Sequence, residues 1–211
     1  MMKNKIEEKL KFLEESKTSH FNISRLINEH ITMIDIYAFM VLKRSLSLIF
    51  GFTSMIRNEN FLCAAPLIRL QIDNLLRFRA AFLVDDQDNF VNEVIHGKHV
   101  RHFRDRFGKK LTDAYLKKYF SDEYPWLKDL YNKASGYIHL SELHFFNTIR
   151  KAQSGQDGVI EAYIGPDDQM VSNDVYLQAI DEMIIITYSL LETFASWVNK
   201  KEEFDLPLKD L

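Results

Sequence analysis

The sequence predicts a mainly α-helical protein that folds as one single-domain helical bundle over residues 1–211. Apolar residues recur at three- and four-residue steps through several long segments, which is the spacing of an amphipathic helix. Seven glycines and four prolines are few for a chain of 211 residues, so tight turns are rare. A hydrophobic fraction of 46% and an aromatic fraction of 13% provide enough apolar surface for a core. Long helices around a shared core are therefore the expected architecture.

Two long helices, at 66–84 and 173–199, are predicted to lie at the centre of the bundle. The first is apolar nearly all the way round, which is typical of a helix enclosed by others. Because Pro66 would clash inside a regular helix, either a start near Ala65 or a kink around Leu62 is expected. The second contains an apolar run from Met183 to Tyr188. Both helices are expected to bury most of their surface.

The N-terminal region is expected to hold a helix within residues 1–20, at 2–16, with an apolar stripe on one side. Polar residues at 17–22 are expected to break it, and a long helix then follows from 23 to about 57. The stripe of the first helix consists of Ile6, Leu10 and Leu13. Three shorter helices should come after the first central helix. One is expected at 89–95, and the others begin after Leu111 and after Tyr124.

The predicted helix at 89–95 has a signal at each end. Asp86 or Asp88 can cap its first turn. Gly97 follows the last turn, where a residue with a left-handed backbone commonly ends a helix.

A small β-hairpin is predicted as an insertion at 145–165. Apolar and polar residues alternate from Phe145 to Lys151 and from Val159 to Ile164, which is the pattern of two short strands. Gly155 and Gly158 suit the loop between them. The acidic tail at 202–211 is expected to be loose.

Charge and cysteine content narrow the class of protein. The formal net charge of −3 gives the whole molecule no strong bias towards nucleic acid or membrane. The single cysteine, Cys63, excludes an internal disulfide and is expected to be a buried thiol. The first residues alternate in charge and do not resemble a signal peptide. The most apolar window, 31–50, carries Asp35, Lys43 and Arg44. We therefore expect a cytoplasmic protein that does not enter a membrane.

A ladder of charges on the first central helix is the main functional clue. Arg69, Asp73 and Arg77 lie four residues apart, so their side chains follow one side of an apolar helix. Charges in such a place must pair with each other or face a wet cleft. Two interpretations stay open, namely internal ion pairs or a site in which arginine binds a phosphate or carboxylate. All three are candidate ligand-binding residues.

A second cluster is expected where the helix after Tyr124 ends. Histidine titrates near neutral pH, so His139 and His144 are the candidate catalytic acid and base. Tyr137 and Ser141 are candidate ligand-binding residues beside them. A metal site is not predicted, because Glu142 alone does not complete a ligand set. The usual catalytic signatures are missing, and no cofactor is expected. A structural role for His139, as a cap or a buried hydrogen-bonding residue, stays an alternative.

The third feature is the basic run at residues 96–110, which we call the basic loop. It contains six Lys or Arg residues and three His residues but one acid, Asp105. Many runs of this kind are solvated loops. Phe103 and Phe107, which interrupt the charges, also fit a surface that contacts an anion or a nucleic acid. Lys109 and Lys110 are the candidate ligand-binding residues of the loop.

The order of these features resembles a group of helical bacterial proteins that are similar to the HEPN superfamily. The resemblance covers about 23–145 and rests on a long helix, a helix with Arg69 and Asp73, and a helix ending in the sequence Tyr137-Ile-His-Leu-Ser141. It implies a helical bundle that is commonly dimeric. Many HEPN domains are metal-independent ribonucleases of toxin or phage-defence systems, with an arginine before a histidine on one helix. His139 matches that histidine, and Asn132 or Lys133 stands in place of the arginine.

Three functions follow from these expectations. The first is a HEPN-like binding protein, expected as a homodimer, that engages RNA or a nucleotide. Its ligand would meet either a polar pocket formed by Arg69, Asp73 and His139 or the basic loop. The second is a metal-independent ribonuclease that uses His139 or His144 as acid and base, with Arg69 or Arg77 stabilising charge on the phosphate. The third is a structural oligomerisation module whose polar residues pair internally.

Overall fold

Helices dominate the part of the chain that the structure describes, which confirms the predicted mainly helical class. The computed structural model describes residues 2–27, 31–139, 149–151, 160–162, 164–168 and 171–204. A one-turn 3₁₀ helix at Val100–His102 lies within the basic loop. In chain order the α-helices are α1 (Met2–Leu26), α2 (Met33–Arg57), α3 (Phe61–Ala80), α4 (Gln87–Ile95), α5 (Asp113–Phe120), α6 (Leu127–Gly136) and α7 (Asn173–Phe204).

The N-terminal helix is longer than predicted. Helix α1 continues without a break through 17–22, so its expected confinement to residues 1–20 is wrong. The predicted helix at 23–57 is accordingly divided between α1 and α2. The reason is that two polar residues belong to the buried face of α1, which consists of Leu10, Leu13, Ser16, His20 and Ile23. These residues follow the three- and four-residue spacing of one helix face.

Both ends of α2 are held by charged side chains. At its start the Thr32 amide donates to Asp35 Oδ2 at 2.7 Å, and the Thr32 side chain accepts the Asp35 amide in return. This reciprocal arrangement is a capping box. At its end, Arg57 Nη2 donates to Glu7 at 3.0 Å and to Glu14 at 2.9 Å, and so ties α2 to α1.

Helix α3 begins earlier and ends earlier than the predicted span of 66–84. It starts at Phe61 and contains Pro66 within it. A proline at this position removes a single backbone hydrogen bond, to the carbonyl of Leu62 near the helix start, and the helix accommodates that loss. After Ala80 the chain leaves the helix through a series of turns.

Two side chains cap the start of α3. The Asn60 side chain accepts the Cys63 amide at 2.9 Å, and the Asp168 carboxylate accepts the Leu62 amide at 2.8 Å. Amides in a first turn lack partners within the helix, so both contacts satisfy donors that would otherwise be unpaired. Cys63 is exposed on this turn, and the expectation of a buried thiol is wrong.

The core is built around α3, which packs against α2, α5, α6 and α7, while α1 packs against α2 and α7. Phe78 on α3 is fully buried, and its ring stacks on that of Phe194 with centroids 4.0 Å apart. The rings of Phe82 and Trp197 meet Phe78 edge to face. Aromatic contacts of this kind join α3 to α7 and fix the orientation of the Phe82 and Trp197 rings.

Helix α4 matches its sequence signals. The Asp86 side chain accepts the Asn89 amide at 2.9 Å and caps the helix. Gly97 follows the helix with φ of +95°, a left-handed backbone that favours glycine. The predicted cap and the predicted stop are therefore confirmed, and the basic loop begins here.

The C-terminal part of the chain departs from the predictions in one respect. Helix α7 passes the expected end at 199 and reaches Phe204, so the first residues of the expected loose tail are helical. Residues 205–211 lie outside the described ranges. Within 145–165, the described strands β1 (Ile149–Lys151) and β2 (Ile160–Ala162) pair antiparallel, with Ile149 opposite Ala162. Most of the remaining residues there are not described, and the hairpin insertion stays a prediction.

Candidate functional site

The charge ladder of α3 is closed by an acid from another helix. Arg69 Nη1 lies 2.5 Å from Asp73 Oδ1, although these two atoms lack hydrogen-bond alignment. Asp113, at the start of α5, lies 3.3 Å from Arg69 and also binds Arg77. Arg77 is 3.7 Å from Asp73. Two arginines and two carboxylates therefore alternate, and each arginine contacts both acids.

Tyr131 of α6 completes this cluster. Its hydroxyl donates to Asp113 Oδ2 at 2.7 Å and accepts a hydrogen bond from Arg69. The Arg69 guanidinium lies 3.8 Å from the centre of the Tyr131 ring, and the Lys117 ammonium lies 3.9 Å from it. Cations placed this way are attracted by the electron-rich ring face. Helices α3, α5 and α6 are joined at this point.

The electrostatics of the cluster agree with mutual pairing. Burial raises the pKa of Asp113, but the hydrogen bond from Tyr131 and the charge of Arg77 outweigh it and lower that pKa overall. Burial and the hydrogen bond to Asp113 raise the pKa of Tyr131 to about 12. The carboxylate is thus charged and the phenol protonated at neutral pH. With its side chain only 8% exposed, Arg69 has its charge offset inside the protein. The geometry favours the interpretation as internal ion pairs.

The predicted histidine cluster is only partly within the described residues. Tyr137 is buried against the edge of Phe61, with ring centroids 5.6 Å apart. Burial raises its pKa to about 12. His139 is exposed just after α6, and in the described part of the chain no hydrogen bond or ion pair links it to the charge ladder. Ser141 and His144 lie outside the described ranges, so a catalytic or ligand-binding role at this cluster stays a prediction.

A buried polar network in the core was not anticipated from the sequence. His20 Nδ1 donates to the Ser16 carbonyl at 2.8 Å, and His20 Nε2 accepts from the Ser45 hydroxyl at 2.9 Å. The Gln71 amide nitrogen donates to Ser45 at 2.7 Å and to Thr187 at 3.1 Å. These side chains join α1, α2, α3 and α7. All of them are nearly or fully buried.

The protonation of this network follows from its contacts. Burial lowers the pKa of His20, and the hydrogen bond to the Ser16 carbonyl offsets only part of that change. Neutral histidine has one donor and one acceptor nitrogen, which matches its two partners. The spacing of Leu13, Ser16, His20 and Ile23 could have revealed the buried face, but nothing in the sequence identifies the partners on other helices.

The backbone of the basic loop is organised by its one acid. Asp105 is buried and accepts the Phe107 amide at 2.9 Å, the Lys109 amide at 2.8 Å and the hydroxyl of Tyr115. Burial raises the pKa of Asp105, but these hydrogen bonds outweigh it and lower the pKa overall. Gly108, at the tip of the turn, has φ of +79°. The loop is therefore a folded turn around a buried carboxylate.

Most cations of this loop remain exposed and unneutralised. Lys98 pairs with Glu93 at 2.7 Å. No other Lys or Arg of the loop has an ion pair within the described ranges of the chain, and their contacts are with backbone carbonyls, rings or a histidine. These exposed residues, which include both predicted lysines, are Arg101, Arg104, Arg106, Lys109 and Lys110. The loop thus presents a positive surface.

An aromatic cleft of about 590 Å³ opens next to this loop. It lies between the turn after α3, helix α5, the last turns of α7 and the start of α2. Pockets that bind small ligands have volumes of roughly 300–1,000 Å³ and mostly apolar walls. Six of the lining residues are Arg79, Phe82, Tyr119, Phe120, Trp197 and Lys200. The sequence predictions did not include it, because its walls come from distant segments.

A second, smaller cavity of about 230 Å³ connects the cleft region to the basic loop. Phe82, Leu83 and Tyr119 line both cavities. The far wall of the smaller one is formed by Asp105, Arg106 and Phe107 of the loop. Arg106 is held there because its backbone amide donates to the Leu83 carbonyl at 3.0 Å and its guanidinium donates to the Phe82 carbonyl at 2.9 Å.

Two further observations concern metals and membranes. Within the described residues, no group of three or more His, Cys, Asp and Glu side chains is placed to hold a metal ion. None of the helices in the described ranges has a stretch that is both long and apolar enough to cross a membrane.

Comparison of the chain with known proteins gave no match, whether to a family model, to a curated protein or to a solved structure. The resemblance to the HEPN superfamily is neither supported nor contradicted by this result, and it stays a prediction. The fold and the site geometry define a helical protein with a paired charge ladder, a folded basic loop and an aromatic cleft beside that loop.

Proposed function

We propose that this protein binds RNA and that the basic loop holds the phosphates. The observation that carries the proposal is the exposed positive charge of the loop, which lacks ion-pair partners within the described residues apart from the Lys98–Glu93 pair. Nucleic acids bind such surfaces because each neutralised phosphate releases condensed counterions. The resemblance to HEPN domains, many of which act on RNA, agrees with this choice of ligand.

The loop is a better phosphate site than the charge ladder, which was the other candidate. Arg69 and Arg77 already contact Asp73 and Asp113, so an incoming phosphate would have to compete with two carboxylates. Displacing a partner from a largely buried arginine is costly. Apart from Lys98, which pairs with Glu93, the cations of the loop have no carboxylate partner of this kind in the described structure.

The fold of the loop also reduces the cost of binding. The Asp105 carboxylate accepts hydrogen bonds from the amides of Phe107 and Lys109 and from the Tyr115 hydroxyl. The loop backbone is therefore fixed before any ligand binds. A preorganised site loses less conformational entropy on association than a flexible one. The lysines and arginines then need only to order their own side chains.

The test compares two double variants that remove equal charge. Lys109→Ala/Lys110→Ala removes cations from the loop. Lys5→Ala/Lys11→Ala removes exposed cations from the first turns of α1. That part of α1 lies beside Asp181, which pairs with Lys9 and is roughly 18 Å along α7 from Thr193, the first residue of that helix to line the aromatic cleft. Binding of a fluorescently labelled RNA oligonucleotide is measured by anisotropy over a series of salt concentrations.

We expect the loop variant to bind more weakly and to reduce the slope of log affinity against log salt by about 2, one for each lost phosphate contact. The α1 variant should keep the wild-type slope. The proposal fails if wild-type protein does not bind RNA, or if the two variants behave alike. Complete competition by a mononucleotide would assign the loop to a nucleotide instead of a strand.

A further inference from the structure

The aromatic walls of the cleft beside the basic loop are held in place by rings that pack against them. Trp197 and Phe82 both meet the buried ring of Phe78 edge to face, with centroids 5.7 and 5.2 Å apart. Tyr119 stands edge to face with Phe120 at 5.0 Å. Because Phe78 is fully buried, the rings that rest on it cannot turn freely. The cleft therefore offers flat aromatic surfaces with fixed orientations.

The interior of the cleft suits an uncharged, flat group rather than an anion. Arg79, which lies on its wall, donates to the Glu123 carboxylate through Nη1 and Nη2. Its Nη1 also donates to the Tyr124 hydroxyl at 3.2 Å. Its charge is therefore offset. The lining also contains the Gln87 amide and the Ser196 hydroxyl. Amide and hydroxyl groups can both donate and accept hydrogen bonds, as the edge of a base requires.

Apart from Lys200, which is exposed on the cleft lining, the exposed positive charge near the cleft lies to one side of it, in the basic loop. The smaller cavity, which shares Phe82, Leu83 and Tyr119 with it, is bounded on its other side by Asp105, Arg106 and the exposed ring of Phe107. The Asp105 carboxylate already accepts two backbone amides and the Tyr115 hydroxyl, so Arg106 is the group there that can meet an anion. A ligand that fills both places must be flat and neutral at one end and anionic at the other. A nucleotide unit within a strand has this distribution, because its base is uncharged and its phosphate is negative.

We infer that the cleft receives one unpaired base of the RNA strand whose phosphates lie on the basic loop, so that the protein selects single-stranded RNA. This inference rests on the function proposed above. Proteins that bind single strands combine a positive groove with aromatic side chains on which bases stack. A base in a duplex is stacked and paired, and its flat faces are not accessible to the walls of the cleft.

The experiment uses the fluorescence of Trp197, which lines the cleft, to detect binding. The chain has two tryptophans, and Trp126→Phe leaves Trp197 as the single emitter. Two surface variants alter the cleft while keeping its buried support. Tyr119→Ala removes an exposed ring from the lining, and Ser196→Glu places a negative charge on it. Phe50→Ala is the control, because Phe50 is a 74% exposed aromatic on α2 outside the cleft lining.

We expect single-stranded RNA to quench Trp197 and to bind more tightly than a duplex of the same length. Tyr119→Ala should weaken single-strand binding by roughly tenfold. Ser196→Glu should weaken it as well, and neither variant should change the affinity for duplex. Phe50→Ala should match wild type in every measurement.

The failure of this inference differs from the failure of the proposed function. If strand binding depends on Lys109 and Lys110 but Trp197 does not respond and Tyr119→Ala binds normally, the base site is refuted and the loop function stands. If no RNA binds through the loop, both proposals fail. Quenching by decanoate equal to that by RNA would show that the cleft accepts any apolar anion, and it would also refute the base site.

Discussion

Replacing Asp113 by alanine tests whether the charge ladder is an internal structural tie. Asp113 contacts Arg69, Arg77 and the Tyr131 hydroxyl, which belong to two other helices. Without it, both arginines keep only Asp73 as a charged partner, at 2.5 Å from Arg69 and 3.7 Å from Arg77. Arg69 has almost no access to water that could solvate its charge instead. The variant should therefore be clearly less stable than wild type.

The magnitude can be bounded from the exposure of the residues. Removing one partner from a fully buried ion pair costs about 3–5 kcal/mol, whereas a fully exposed pair contributes about 0–1 kcal/mol. The Asp113 side chain is 34% exposed, so the expected loss lies between these limits. We expect a loss of about 2 kcal/mol in the free energy of unfolding. For a chain of this length, that corresponds to a decrease of roughly 4–8 °C in Tm.

The assay is equilibrium urea unfolding followed by far-UV circular dichroism. Asp181→Ala is the matched control, since its partner is Lys9 on the surface and its side chain is 54% exposed. It should change the free energy by less than about 0.5 kcal/mol. A double-mutant cycle with Arg77→Ala should show coupling between Arg77 and Asp113. If the two aspartate variants are equally stable, the ladder is not a structural tie, and its role as a ligand site would have to be reconsidered.

Three other predictions concern the core and one turn. Unfolding free energy should fall as pH drops below 6.5, because the unfolded chain takes up a proton that buried His20, with its lowered pKa, resists. The loss is complete once the pH has fallen below the lowered pKa of His20 in the folded protein. Urea unfolding at pH 7.5 and at pH 5.5 measures it, and the His20→Asn variant should not show this loss between the two pH values. Phe78→Ala should cost about 3–5 kcal/mol in the same assay, while Phe50→Ala should be nearly neutral. Gly97→Ala should cost about 1–2 kcal/mol, because alanine is strained at a φ of +95°, and a melting curve unchanged from wild type would contradict this reasoning.

Local signals in the sequence were sufficient for features that depend on neighbouring residues. Helix α4 has both its cap, Asp86, and its stop, Gly97, within a few residues of its ends. Helix α1 shows the limit of such signals. Its buried face includes Ser16 and His20, which a hydrophobic pattern counts as a break. These polar residues are tolerated because they bond across helices, and the sequence does not reveal those bonds.

The candidate site shows the same limit more strongly. The spacing of Arg69, Asp73 and Arg77 placed them on one side of α3. Whether they pair or bind a ligand depends on Asp113 and Tyr131, which are distant in the chain and have no fixed spacing to the ladder. The aromatic cleft likewise exists only once α2, α3, α5 and α7 have packed. Long-range packing, and not any single segment, creates these features.

The buried network from Gln71 through Ser45 to His20 has a consequence for the uniqueness of the fold. Each hydrogen bond in it has one possible direction, since the amide must donate to the hydroxyl and the hydroxyl to the imidazole. An entirely apolar interface could slide by a turn of helix with little penalty. Here a slip would leave several buried polar groups unpaired. Replacing the whole network by well-packed apolar residues should therefore raise stability while admitting alternative helix alignments.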